Sequence, residues 1–156
     1  MAPRITNKED KTVDIREAIA PCGLSCEKCL AKHGGTIQKA AADLMHGLRG
    51  FEKHWKRFSG MNPAFAGYPA FSEIASFLAK GICGGCRSGQ CLLGDCRVQR
   101  CVSEKAIGFC YECEDFPCRD HNLPERVEQV WRTANARMAD VGPEQYREEN
   151  LNKPRY

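Results

Sequence analysis

The chain has 156 residues, 42% of them hydrophobic, with 23 basic and 20 acidic residues for a net charge of +3. That length suits one ordinary domain with a core of modest size. The balanced charge gives no reason to expect a polyanionic partner. No run approaches the ~18 consecutive apolar residues of a membrane span, so no membrane is expected.

Residues 1–12 read as a flexible arm, and residues 13–156 as a single metal-binding domain with a cysteine-rich module at 82–121. Asp14 is a candidate cap for a short helix through Ile15 and Ile19 that stops before Pro21. The segment PCGLSCEKC follows, with Cys22, Cys26 and Cys29. After Gly34-Gly35, Ile37, Ala41, Leu44, Leu48, Phe51, Trp55 and Phe58 recur at spacings of four and three, which predicts one long amphipathic helix. Gly47 and Gly50 weaken that helix by roughly 1 kcal/mol each relative to alanine and mark a kink or a close helix contact.

The stretch SGMNPAFAGYP reads as a loop. Pro69 suits the first turn of a second helix with Phe71, Ile74, Ala75 and Leu78 on its apolar face and Gly81 at its end. The short connection predicts an antiparallel pair. Within the cysteine-rich module, Val102 to Ile107 predicts a turn or two of helix stopped by Gly108. Asn122 and Glu125 resemble a capping box, with Pro124 in the first turn of the helix that follows. Val127, Val130, Trp131, Ala134 and Met138 are that helix's buried stripe, Gly142-Pro143 its stop, and 143–150 a last short helix. The fold class expected is all-α, with an irregular, metal-stapled cysteine-rich module and few or no strands beyond short knuckle hairpins.

Eight of the eleven cysteines lie between Cys83 and Cys118: Cys83, Cys86, Cys91, Cys96, Cys101, Cys110, Cys113 and Cys118. That segment has few large apolar side chains and needs covalent or metal staples. Disulfides demand an oxidising compartment, but the N-terminus has no signal-peptide character and the cysteine number is odd. A cytoplasmic location fits, and there these spacings read as metal ligands. Cys26-x2-Cys29, Cys83-x2-Cys86 and Cys110-x2-Cys113 are three knuckles, in which two sulfurs face one ion while the intervening amides turn toward them. All eleven cysteines are candidate ligands.

Zinc is preferred to iron–sulfur, because the spacings from Cys86 through Cys91 and Cys96 to Cys101 depart from the ferredoxin run. Eight late cysteines suit two four-thiolate sites. One grouping is sequential, with Cys83, Cys86, Cys91 and Cys96 in one site and Cys101, Cys110, Cys113 and Cys118 in the other; a cross-braced grouping is equally allowed. Each such zinc site carries a net charge of about −2, which Arg87, Arg97, Arg100 and Lys105 are placed to offset. The early trio then lacks a fourth ligand, for which His33, His121, a water, a substrate or a shared cysteine are candidates. The trio also has the spacing of radical S-adenosylmethionine enzymes, but Lys28 replaces their usual aromatic and the chain is too short and strand-poor for their barrel. Arg49, Lys53, His54, Lys56 and Arg57 form a basic strip, yet the aromatics beside it fall on the apolar stripe, so nucleic acid is disfavoured.

The motifs CGLSCEKC, CGGC, three spaced cysteines and EKAIGFCYECEDFPC resemble domain-of-unknown-function family 3795, small cysteine-rich prokaryotic proteins, over about residues 20 to 122. In that family Cys91 and Cys96 are expected to stand closer together, which bears on how the ligands group. The resemblance implies metal binding with zinc and no histidine requirement at His33, and it supplies no established activity. The functional expectation is a zinc protein whose metal is mainly structural. The alternatives are an iron–sulfur or labile-zinc centre for redox, metal-handling or thiol-transfer work, and a zinc-stabilised adaptor for a protein or nucleic acid. Nothing in the sequence decides whether the chain is an enzyme.

Overall fold

A computed structural model describes residues 13–156; the arm expected over residues 1–12 lies outside the described residues. The described chain is mainly helical, with seven α-helices, short 3-10 turns between them, and no strand. Its only ladder-like pairings among the described residues are isolated bridges, Ile19 with Ser25 and Lys32 with Cys83. The helices are α1 (Ile15–Ala18), α2 (Thr36–Gly47), α3 (Trp55–Ser59), α4 (Tyr68–Lys80), α5 (Val98–Glu104), α6 (Glu125–Val141) and α7 (Pro143–Leu151).

Asp14 caps α1 as expected, its carboxylate accepting from Arg16 N at 2.9 Å. The long helix expected from Ile37 to Phe58 is instead broken. α2 stops at Gly47, a 3-10 turn covers Phe51–Lys53, and α3 begins at Trp55. The cause is Gly50, which sits at φ +90°, a left-handed conformation that a helix cannot pass through. The break folds the apolar stripe back on itself, so that Phe51 meets Phe58, Phe65 and Tyr68 with ring centroids 4.9–5.8 Å apart.

α4 ends at Gly81, in the left-handed region at φ +56°. Gln38 near the start of α2 donates to Ala79 O near the end of α4 at 2.9 Å, so the two helices run antiparallel. The hairpin joins the cysteine-rich body through one short seam, where His33 N donates to Cys83 O at 2.8 Å and Cys83 N to Ala31 O at 2.9 Å.

α5 starts at Val98 and ends before Lys105, and Ala106, at φ +54°, makes the turn assigned by sequence to Gly108. The capping box expected at Asn122 and Glu125 does not form. Pro124 is the N-cap of α6, and Asn122, at φ +48°, instead donates from Nδ2 to Asp95 O at 2.9 Å. The stripe of α6 is otherwise as read: Trp131, Ala134 and Met138 are buried, whereas Val130 is partly exposed.

Two clusters make the core of the cysteine-rich body. Ala20, Cys22, Cys86, Val98, Leu123 and Trp131 form one, and Ala18, Ile19, Phe109 and Met138 the other. Cys26, Cys96, Cys110 and Cys118 pack on the first, so sulfur occupies much of the space that aliphatic side chains fill elsewhere. Asn135, fully buried on α6, ties the body together. Its Oδ1 accepts from Tyr111 N at 3.0 Å, while Nδ2 donates to Pro21 O at 3.2 Å and to Trp131 O at 3.0 Å. No helix among the described residues is long and apolar enough to cross a membrane.

Candidate metal centre

All eleven cysteines are free thiols, and they wall two separate cavities. Cys101, Cys110, Cys113 and Cys118 line a small one of about 20 Å³, closed by Val102, Ile107, Phe116 and Trp131. Cys22, Cys26, Cys29, Cys83, Cys86, Cys91 and Cys96 line a chamber of about 580 Å³. The early trio therefore does not stand apart needing a histidine. It shares one space with the first four late cysteines, brought there by the seam between Ala31 and Cys83. Among the described residues, no group of three or more Cys, His, Asp or Glu side chains is already closed around a point that would hold a metal ion.

Neither candidate histidine faces these spaces. His33 is used through its backbone at the seam. The ring of His121 is buried against Trp131 at 4.8 Å; its Nδ1 accepts from Leu123 N at 3.0 Å, and Nε2 lies 3.6 Å from Glu128.

The backbone at the chamber is arranged to favour sulfur anions. Gly85 N donates to Cys83 Sγ at 3.4 Å. Amides of Leu24, Cys86 and Leu93 act likewise on Cys22, Cys26 and Cys91. For Cys22, Cys83 and Cys91 the N–H lies two residues on, the knuckle geometry, helped at the first two by tight turns at Gly23 and Gly85, which sit at φ +83° and +117°; for Cys26 it comes from the distant Cys86. Burial works the other way. It pushes Cys22 up to about 12 and raises Cys86 further, with the neighbouring sulfurs adding repulsion. Such thiols keep their protons near neutral pH unless a cation takes the protons' place.

At the small cavity, burial raises Cys110 to about 11, and the indole N–H of Trp131 opposes it. That N–H is buried and has no conventional hydrogen-bond partner. A neutral thiol is a poor acceptor for it, whereas a metal-bound thiolate is a good one. Lys105 Nζ lies 3.1 Å from Cys113 Sγ and 2.6 Å from Asp115. Glu112 fixes the turn that precedes this knuckle by accepting from Gly108 N at 2.9 Å and Phe109 N at 3.2 Å.

Of the four cations expected to offset thiolate charge, Lys105 reaches a cysteine sulfur, that of Cys113, while also pairing with Asp115. Arg87 lies near Cys86 and Cys26; burial lowers its pKa, those two neighbours oppose the shift, and its guanidinium is spent on the carbonyls of Arg16, Ile19 and Gly108. Arg97 pairs with Asp120, and Arg100 with Glu104. The cations that line the chamber are instead Lys32, Arg126 and Arg155. Their position depends on which segments dock, so sequence spacing carries no signal for them. Arg155 is held there because its Nε donates to Ser25 O at 3.2 Å, and Tyr156 because its hydroxyl accepts from Leu30 N at 3.0 Å. Lys28, in the place where the radical enzymes carry an aromatic, donates to Asn150 O at 2.7 Å and Leu151 O at 3.0 Å and so anchors the end of α7.

No curated protein and no solved structure matches the chain. A family model described as "Protein of unknown function (DUF3795)" matches residues 18–123, which contain every cysteine of both cavities but neither α6 nor α7. That match spans more than half of the sequence, and the chain belongs to the DUF3795 family.

Proposed function

We propose that this chain is a metal-binding protein in which thiolates from two cavities grip metal, and that the four-cysteine site is a structural zinc site. The observation that carries the reading is the orphaned Trp131 N–H facing Cys110 in a cavity lined by four cysteines. A space of about 20 Å³ is close to one solvent-sized sphere, enough for a single ion and little else. Four thiolates complete a tetrahedral zinc and leave no open position, which suits a staple better than a reaction centre. Lys105 beside Cys113 offsets part of the net negative charge.

Zinc there would replace the apolar interior that Cys101–Cys118 lacks, and its binding energy would become folding energy for this segment. The chamber thiols extend the same reading, since seven sulfurs around one space, three of them on buried cysteines and four with amides directed at them, call for a cation.

The test is elemental analysis of protein purified anaerobically, with Cys113→Ser beside the parent. The expected result is about one zinc per chain at the four-cysteine site, lost in the variant together with the ordered structure around Cys101–Cys118. A reduced parent that is compact and free of metal refutes the proposal.

A further inference from the structure

The chamber is too wide and too rich in sulfur for one ion. A tetrahedral metal with sulfur at ~2.3 Å holds its sulfurs ~3.8 Å apart, which leaves no solvent-sized space among them. The chamber has about 580 Å³, and seven cysteines share its wall with leucine, valine and cationic side chains. All seven cysteines line this one chamber. Cys86 is close enough to feel Cys22, Cys26, Cys91 and Cys96, and Cys91 close enough to feel Cys83, Cys96 and Cys29. Cys26 in turn feels Cys29 and Cys83.

We infer that the chamber holds an iron–sulfur cluster, in which inorganic sulfide bridges the irons and four of the seven wall cysteines complete their coordination. This rests on the reading that the chamber thiols bind metal, and it specifies what they bind. Sulfide is the ligand that fills a void from within, so four thiols spread around a space too wide for one ion can still hold one centre.

The rest of the wall suits such a group. Leu24, Leu30, Leu92, Leu93, Val127 and Val130 give the chamber a mainly apolar wall beside the sulfurs. Lys32, Arg126 and Arg155 supply positive charge opposite a centre that is net negative once thiolates and sulfide are counted. Ser25 is one of the residues lining the chamber, and its hydroxyl is buried with no hydrogen-bond partner. A cluster sulfur gives it an acceptor, and hydrogen bonds to sulfur are among the levers that set cluster potentials. The chamber draws on α6 and the C-terminal segment as well as the cysteines, and both lie outside the family-matched residues. This part of the wall belongs to the present chain and not to the matched family region.

The experiment uses the full chain, purified without oxygen and also reconstituted with ferrous iron and sulfide. Zinc, iron and acid-labile sulfide are measured on the same samples, followed by electron paramagnetic resonance after dithionite reduction. The expected result is more than one iron per chain, equimolar sulfide, and a reduced-cluster signal, with zinc confined to the four-cysteine site. Zinc in the chamber without sulfide, or a single iron without sulfide, overturns the inference and leaves metal binding intact. Absence of metal from both cavities overturns both. Ser25→Ala is expected to keep the iron and sulfide content and to lower the reduction potential, because the reduced centre carries more negative charge and loses a hydrogen bond. An unchanged potential in the fully loaded variant overturns the placement of the cluster against Ser25.

Discussion

Replacing Asn135 with leucine tests whether the two cavities depend on one buried side chain. Asn135 is fully buried, and its amide reaches a backbone N–H at Tyr111 and a backbone carbonyl at Pro21. Those residues adjoin Cys110 of the small cavity and Cys22 of the chamber. Leucine keeps roughly the same volume and strands both backbone groups. Each stranded group costs about 1–3 kcal/mol. The third bond, to Trp131 O, is local to the helix and adds little. The apolar gain of a buried leucine offsets about 1–2 kcal/mol, which leaves a net loss of about 2–3 kcal/mol. The assay is urea denaturation of metal-loaded protein at fixed free zinc, since metal that binds only the folded state raises apparent stability. A chelator competition on the same samples follows metal release from each cavity. The expected result is a lower midpoint with faster release from both. A loss below about 1 kcal/mol with native helicity would refute the idea that this residue ties the two sites.

Three further outcomes follow from single contacts. Gly23→Ala would bring a Cβ to 2.2 Å from the Ala134 Cβ at a residue with φ +83°, so a loss of about 3 kcal/mol or more is expected; thermal denaturation measures it, and Ala134→Gly in the same chain should recover the part due to the clash. Trp131→Phe keeps an aromatic ring beside Phe116 and His121 but removes the N–H that faces Cys110, so zinc affinity at the small cavity should fall about tenfold in a chromophoric-chelator titration while chamber metal stays in place. Lys28→Met removes the ammonium that holds the carbonyls at the end of α7; hydrogen exchange should quicken over residues 150–156 and remain slow in the middle of α6.

The periodic elements were legible because their information is local. Spacing alone predicts α4 and the buried stripe of α6, and both helices form there, although Phe71 and Ile74 of the face expected on α4 are exposed. The errors arose where one backbone position outweighed a pattern. Gly50 at φ +90° cuts a stripe that would otherwise make one helix, and Asn122 at φ +48° turns away from the cap it resembles. The division of the cysteines is a different matter. Spacing defines knuckles, but which knuckles meet depends on contacts between distant segments. Cys29 reaches Cys83 because the chain returns at the Lys32–Cys83 bridge after the whole α2–α4 hairpin. Cys96 and Cys101 lie five residues apart and yet line different cavities. α5 begins between them, at Val98, and burial of Val98 and Val102 fixes its direction. α6 then serves both sides, presenting Val127 and Val130 to the chamber and Trp131 to the small cavity. The partition into seven and four thus comes from two buried valines and one helix face. A substitution that tilts α5, such as Val98→Ala, should disturb both sites although it removes no sulfur.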